Sequence, residues 1–248
     1  MSALPQRGPG EQGTLFLVPV ALGDTPWPGF LPTQAQAITT RLHHFVVETA
    51  RAARAHLKQL DYPHPLRDTD IRELPADPAK ARDTEFDALL APALEGRDIG
   101  LMSDAGCPAV ADPGARLVAR AHALGIRVAP LVGPSSILLG LMGSGLNGQS
   151  FAFHGYLPVN EAERDTALRA LEDESRKLGR TQIFIETPYR NERMFDALLK
   201  TLKPVTRLCV ACDLSTANEL LQTRSVRDWK KAERPALAKR PSLFLLLA

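Results

Sequence analysis

Three cysteines in 248 residues cannot build a disulfide framework, so the expected home is a reducing cytoplasm and the fold must rest on apolar packing. No apolar run reaches 18 residues, which leaves no candidate membrane-spanning helix. The first dozen residues (MSALPQRGPGEQ) lack the apolar centre of a signal peptide, and 1–12 reads as a flexible leader. There is no GxGxxG, no GxxxxGK[ST] and no GxSxG, so the dinucleotide, P-loop and serine-hydrolase fingerprints are all missing. No internal repeat is visible. The six histidines show no ligand spacing, and no metal site is assigned. Aromatic residues make up only 6% of the chain.

What is present suffices for a core. Hydrophobic residues are 44% of the chain, enough for one large or two small domains and too many for a disordered one. Thr14–Pro19 (TLFLVP), His43–Glu48 (HHFVVE), Arg97–Ser103 (RDIGLMS) and Ile126–Val132 (IRVAPLV) are short apolar runs of the kind buried on both faces of a sheet. Helical patterns separate them at Ala50–Leu60, Asp83–Leu94 and Ala115–Leu124. This alternation predicts an α/β domain over 13–146 with a mostly parallel sheet covered on both faces.

The glycine-bearing stretch SGLNGQS at 144–150 marks an expected domain boundary. The rhythm then changes. Helices are expected at about Glu161–Lys177 and Glu192–Lys200 around a strand at Thr181–Glu186. Strand-like runs then follow one another at Arg207–Cys212, Glu219–Thr223 and Ser242–Leu247, which predicts a second α/β domain over 151–248 with a mixed sheet.

Taken whole, the net charge of +2 argues against a nucleic-acid partner, but it is an average. Residues 1–150 carry 13 basic and 15 acidic side chains; from Arg176 onward there are 15 basic and 7 acidic ones. A basic C-terminal segment is either a solvated surface or one that faces a polyanion.

Candidate chemistry collects where strands end. Ser103–Gly114 (SDAGCPAVADPG) follows a buried strand at the carboxyl edge, where open α/β sheets bind ligands. Asp104 stands one residue past the apolar run, ready to accept hydrogen bonds or face a cation, whereas Asp112, before Pro-Gly, reads as a turn-former. Ser135 and Ser136 in VGPSS open a helix and offer hydroxyls and free N–H groups to a carboxylate or phosphate, although capping alone explains one of them. Pro19 to Gly23 is the corresponding turn after the first strand. Cys209 and Cys212 look like half of a redox or zinc motif, but they lie in an apolar strand, where positions i and i+3 point to opposite faces. They read as core.

The order of these motifs resembles the tetrapyrrole methylase superfamily of S-adenosylmethionine-dependent methyltransferases. The stretches that carry it are GTLFLVPVALG (13–23), LMSDAGCPAVADPG (101–114), GIRVAPLVGPSS (125–136), FAFHGYLP (151–158), IFIETPYR (183–190) and DLSTANE (213–219). Within the superfamily the chain is most similar to the branch that methylates a cytidine 2′-hydroxyl in 16S ribosomal RNA. The resemblance implies two α/β domains, S-adenosylmethionine as cofactor in the cleft between them, and a homodimer. It places the cofactor against Pro19, Met102, Ser103, Asp104, Cys107, Ser135, Ser136, Glu186 and Leu214. Glu48 and Arg51 match the ends of a Glu-Asp-Thr-Arg stretch of the RNA branch and are the candidates for catalysis.

Three departures accompany it. The stretch here is Glu48-Thr49-Ala50-Arg51, Thr216 replaces a residue that is commonly basic, and the C-terminal helical extension usual in the RNA branch is not seen. The expected acceptor is ribosomal RNA or the small ribosomal subunit. A tetrapyrrole or other small-molecule acceptor, and a paralogue that binds without transferring a methyl group, stay open at this point.

Overall fold

The structure, a computed structural model, describes residues 11–248. Most of the expected 1–12 leader lies outside them. The described chain divides between Pro134 and Ser135 into two compact units.

The first unit runs β1 (Thr14–Leu17), α1 (Thr33–Thr39), β2 (His44–Val47), α2 (Ala50–Gln59), β3 (Asp70–Glu73), α3 (Asp83–Leu94), β4 (Ile99–Met102), α4 (Ala115–Ala123) and β5 (Arg127–Pro130). Its five strands are all parallel, in the order β3-β2-β4-β1-β5. The apolar runs are continuous because both faces are covered. Leu15, Val46 and Leu101 pack with Phe86, Leu90 and Leu117 on one side. Phe16, Phe45, Val47 and Met102 pack with Ile38 and Leu57 on the other. Arg120 forks onto Asp87 at 2.6 and 3.0 Å and ties α4 to α3.

The second unit runs α5 (Ser136–Ser144), β6 (Phe151–Tyr156), α6 (Glu161–Leu178), β7 (Thr181–Glu186), α7 (Asn191–Thr201), β8 (Arg207–Cys212), β9 (Leu220–Ser225), α8 (Val226–Trp229) and β10 (Ser242–Leu247). The sheet order is β6-β7-β10-β8-β9, with β6 and β7 parallel and the other neighbours antiparallel. This is the mixed sheet that the run of successive strands predicts. Helix α6 begins at Asn160, whose side chain accepts from the N–H groups of Ala162 and Glu163, and it ends at the left-handed Gly179. Helix α5 lies so close to the sheet that a Cβ on Gly140 would come within 2.4 Å of Leu243. Because α5 packs on β8, β9 and β10, the division falls ahead of this helix, upstream of the 144–150 stretch.

Cys212 points into the main core of this unit with Phe184, Trp229 and Phe244. Cys209 lies on the other face of β8, and burial raises the pKa of both thiols. Among the described residues no group of His, Cys, Asp and Glu is placed to hold a metal ion. No described helix is long and apolar enough to cross a membrane.

One core residue makes stability depend on pH. His56, on the inner side of α2 beside the Phe30 ring, is 3% exposed, and burial lowers its pKa from 6.5 to about 4. The unfolded chain therefore takes up this proton before the folded one does. The contribution of neutral His56 is complete above pH 6.5 and is lost as pH falls from 6.5 toward 4, by up to roughly 3 kcal/mol. Urea unfolding of the wild type and His56→Leu at pH 7.5 and 4.5 checks this: the gap between the two should shift toward the variant at pH 4.5. Parallel pH profiles would contradict it.

Candidate active site

The site candidates of the first unit stand at the carboxyl ends of its central strands. Leaving β1, Val18 donates to the Leu101 carbonyl at 2.8 Å, and Val20 exchanges backbone bonds of 2.8 and 3.0 Å with Gly106. The loops after β1 and β4 are thereby zipped together, with Pro19 between the two attachments. A Cβ on Gly133 would stand 2.2 Å from Cβ of Pro19, so the segment after β5 fits against this proline only because residue 133 has no side chain. Cys107 lies half-buried in the loop after β4 and donates its thiol to the Pro134 carbonyl at 3.2 Å; burial and the Asp112 charge push its pKa up.

Loop 103–114 is held in an uncommon backbone. Ala109 (φ 65°) and Ala111 (φ 63°) join Gly106 and Gly114 at positive φ. A non-glycine residue there costs about 1–3 kcal/mol and persists only where its surroundings hold it. Ser103, 3% exposed, donates to the Ala105 carbonyl at 3.0 Å. Met102 is buried with its side chain in the core, and its carbonyl accepts from the N–H of Glu48 at 3.1 Å. What it can offer a ligand is main chain.

Asp104 and Glu48 are joined by a reciprocal clasp between the ends of β4 and β2. The Asp104 N–H donates to Glu48 Oε2 at 3.0 Å. In return Asp104 Oδ1 accepts from the Thr49 hydroxyl at 2.9 Å and the Thr49 N–H at 3.2 Å. The same Thr49 oxygen caps α2 by accepting from the Ala52 N–H at 3.3 Å. Glu73, ending β3, accepts from the Ala50 N–H at 2.7 Å. Neither Asp104 Oδ2 nor Glu48 Oε1 has a hydrogen-bond partner among the described residues, so each acid keeps one oxygen unengaged by them. Arg51 stands exposed on the first turn of α2, and Arg54 and Lys58 follow it at helical spacing. No acid lies on that helix.

Thr49, Glu73 and Asp112 were not assigned to the site by the sequence. Thr49 and Glu73 act through a strand pairing that no local pattern displays. Asp112 does more than form a turn: burial, then the Glu48 charge, and more weakly Asp104, raise its pKa to about 6.

In the second unit Ser135 takes the N-cap position of α5, but its hydroxyl makes no capping bond. The first-turn N–H groups thus have no side-chain cap, which suits an anionic group. Glu186 is buried, and its Oε1 receives the Thr187 N–H at 2.6 Å and the Arg190 guanidinium at 2.6 and 2.9 Å. Leu214 is buried between Asp213 (φ 48°) and Ser215 (φ 66°), a second strained turn. It is tied down by Arg240, which meets Asp213 Oδ2 at 2.6 Å.

A profile of tetrapyrrole (corrin/porphyrin) methylases matches residues 33–228 of the chain. Among curated relatives, the ribosomal RNA small subunit methyltransferase I of Mesorhizobium japonicum is 38% identical over 139 residues, 56% of this chain and 46% of that protein. The protein of the same name from Micromonospora olivasterospora is 34% identical over 197 residues, 79% of this chain and 58% of that one. The chain thus spans about half the length of the curated relatives it matches. A crystal structure of the methyltransferase CobJ superposes with a TM-score of 0.60 over 95% of this chain and 94% of that one; at 17% identity the likeness is one of fold.

Two substitutions test the local geometry. Gly133→Ala should displace Pro19 and destabilise the protein by about 1–3 kcal/mol in urea unfolding; unchanged stability would show that the contact is not as close as described. Asp112 is costly when ionised, because its folded pKa lies above the unfolded one. Its cost is absent below about pH 4 and grows as pH rises through 6. Asp112→Asn should therefore stabilise the protein at pH 7.5, by about 1 kcal/mol after allowance for solvent, and less at pH 5. An equal effect at both values would rule out the raised pKa.

Proposed function

The chain belongs to the tetrapyrrole (corrin/porphyrin) methylase family, and on that premise we propose that it is an S-adenosylmethionine-dependent methyltransferase whose acceptor is a ribose 2′-hydroxyl of small-subunit ribosomal RNA. The observation that carries the reading is the clasped carboxyl edge of the first sheet. Asp104 and Glu48 lock each other in place there, yet each keeps one carboxylate oxygen unused.

The residues present fit the cofactor. Asp104 Oδ2 suits its ammonium or ribose hydroxyls, the uncapped start of α5 at Ser135 and Ser136 suits its carboxylate, and the fixed main chain of Pro19, Met102, Ser103 and Cys107 suits its flat base. On the second unit, taken by itself, Glu186 and the Leu214 turn are the candidates. S-adenosylmethionine supplies a methyl group on a sulfonium leaving group that needs no further activation. The protein's own work is alignment and the handling of one proton. Glu48 Oε1 receives the proton of the acceptor hydroxyl, and Asp104 keeps the carboxylate oriented by holding Oε2. Arg51 neutralises the phosphate next to the reacting ribose, and Arg54 and Lys58 continue that cationic face along α2. A cytoplasmic homodimer belongs to the same reading.

The names of the curated relatives support RNA as the acceptor, and so does the acid-free, basic face of α2 beside Glu48. Calorimetric titration should show binding of S-adenosylmethionine, and purified protein should transfer tritiated methyl groups to 30S subunits from a strain lacking the modification. Glu48→Gln should keep cofactor affinity and lose roughly a hundredfold or more in turnover. Cofactor binding with label absent from RNA would contradict the acceptor and turn the search to small molecules. Absence of cofactor binding would contradict the whole reading.

A further inference from the structure

The basic excess that begins at Arg176 is not spread evenly. Six of its fifteen cations are spent on acids: Arg176, Arg180, Arg190, Lys200, Arg234 and Arg240 each pair with a carboxylate of the second unit. Of the nine others, four stand together at one corner, where the turn into β8 meets the end of β9 and α8.

Backbone bonds build this corner. The Val226 N–H donates to the Thr206 carbonyl at 2.9 Å and the Arg227 N–H to the Pro204 carbonyl at 3.0 Å, which brings Lys203 beside Arg227 despite their separation in sequence. Arg227 and Lys231 are four residues apart and Lys230 lies between them, so all three crowd the outer side of α8 and the turn after it. Lys203, Arg227, Lys230 and Lys231 are all exposed. None of them has an ion pair or a side-chain hydrogen bond among the described residues.

The frame beneath them is fixed. Buried Glu172 accepts from the Lys203 N–H at 2.7 Å and the Thr206 hydroxyl at 2.5 Å. Trp229, 3% exposed, donates to the Leu208 carbonyl at 2.8 Å and lies under the Arg224 guanidinium, 5.3 Å from the ring centre. The acid within the corner, Asp228, is engaged by the Ser225 hydroxyl at 2.5 Å and caps α8 with it. Glu233, two residues past Lys231, is the nearest free acid along the chain. Four cations stand on a rigid base against two nearby acids, Asp228 and Glu233, which leaves a local positive excess. Such an arrangement costs free energy in the unbound protein and is relieved by a partner that brings several closely spaced negative charges.

We propose that Lys203, Arg227, Lys230 and Lys231 form a docking surface for the phosphate backbone of RNA, separate in sequence from the cofactor loops. The proposal rests on the reading of RNA as acceptor. This surface supplies sequence-independent affinity, and the acceptor ribose is chosen elsewhere.

The test is fluorescence anisotropy with a fluorescein-labelled 20-nucleotide single-stranded RNA over a series of KCl concentrations. It compares the wild type with the Lys203→Gln, Arg227→Gln, Lys230→Gln and Lys231→Gln combination, and with a Lys177→Gln, Lys239→Gln control. Loss of four phosphate contacts should reduce the slope of log K against log salt by about 3, at roughly 0.7 per contact. Affinity at 100 mM KCl should fall at least tenfold, with calorimetric affinity for S-adenosylmethionine and the thermal melt unchanged and the control close to wild type. RNA binding by the combined variant with unaltered slope would overturn the surface and leave the acceptor standing. A wild type that binds S-adenosylmethionine but no RNA would overturn the acceptor and the surface together. Binding to phosphatidylserine vesicles in place of RNA, lost in the variant, would overturn RNA as the occupant.

Discussion

The reciprocal bond between the ends of β2 and β4 is the constraint on which the candidate site depends. Two parallel neighbours end side by side, and their first loop residues exchange groups: the N–H of Asp104 goes to Glu48, and the hydroxyl and N–H of Thr49 go to Asp104. Charge-assisted bonds of this kind are roughly twice as strong as neutral ones. They orient the carboxylates of Asp104 and Glu48 by one and the same interaction. Because Thr49 also caps α2, the basic face of that helix is referenced to the same point. The strain at Ala109 and Ala111 is tolerable for a related reason. Their loop is fixed at one end by the clasp, and in its interior by the Gly106–Val20 zipper and the Cys107 bond to Pro134.

Much of this was legible in the sequence, because burial on both faces writes itself as a continuous apolar run. TLFLVP, HHFVVE, RDIGLMS and IRVAPLV all contain strands of one parallel sheet, and the loops after them carry the candidates. The elements that were not legible have separate causes. Strand β3 (DIRE) is a partly exposed edge strand without an apolar signature, and β6 is interrupted by the left-handed Gly155. Helix α5 is apolar on more than one side, so its sequence does not say which sheet it covers. The expected boundary accordingly fell after the helix, whereas the units divide before it.

The candidate site was legible by position more than by partnership. Pro19, Asp104 and Ser135 could be singled out because each follows a strand, whereas Glu186, the last residue of β7, came from the family resemblance alone. That Asp104 spends one oxygen on Thr49, or that Glu186 is held by Arg190, follows from pairings between distant segments. Asp112 shows the same limit. Asp-Pro-Gly is a sound turn signal, yet the fold also buries this carboxyl and sets it in the field of Glu48, and both raise its pKa. Net charge behaved likewise, since the basic excess of the C-terminal segment acquires a location only when ion pairs are subtracted from it.

The most direct test of the clasp is a double-mutant cycle of Thr49→Val and Asp104→Ala, read by urea unfolding and by calorimetric affinity for S-adenosylmethionine. If the two loops are held as described, the single losses will not add: a coupling of about 1 kcal/mol or more is expected in stability. Thr49→Val alone should then weaken cofactor binding, although Thr49 is not assigned to touch it. Additive losses in stability, with cofactor affinity indifferent to Thr49, would contradict the account.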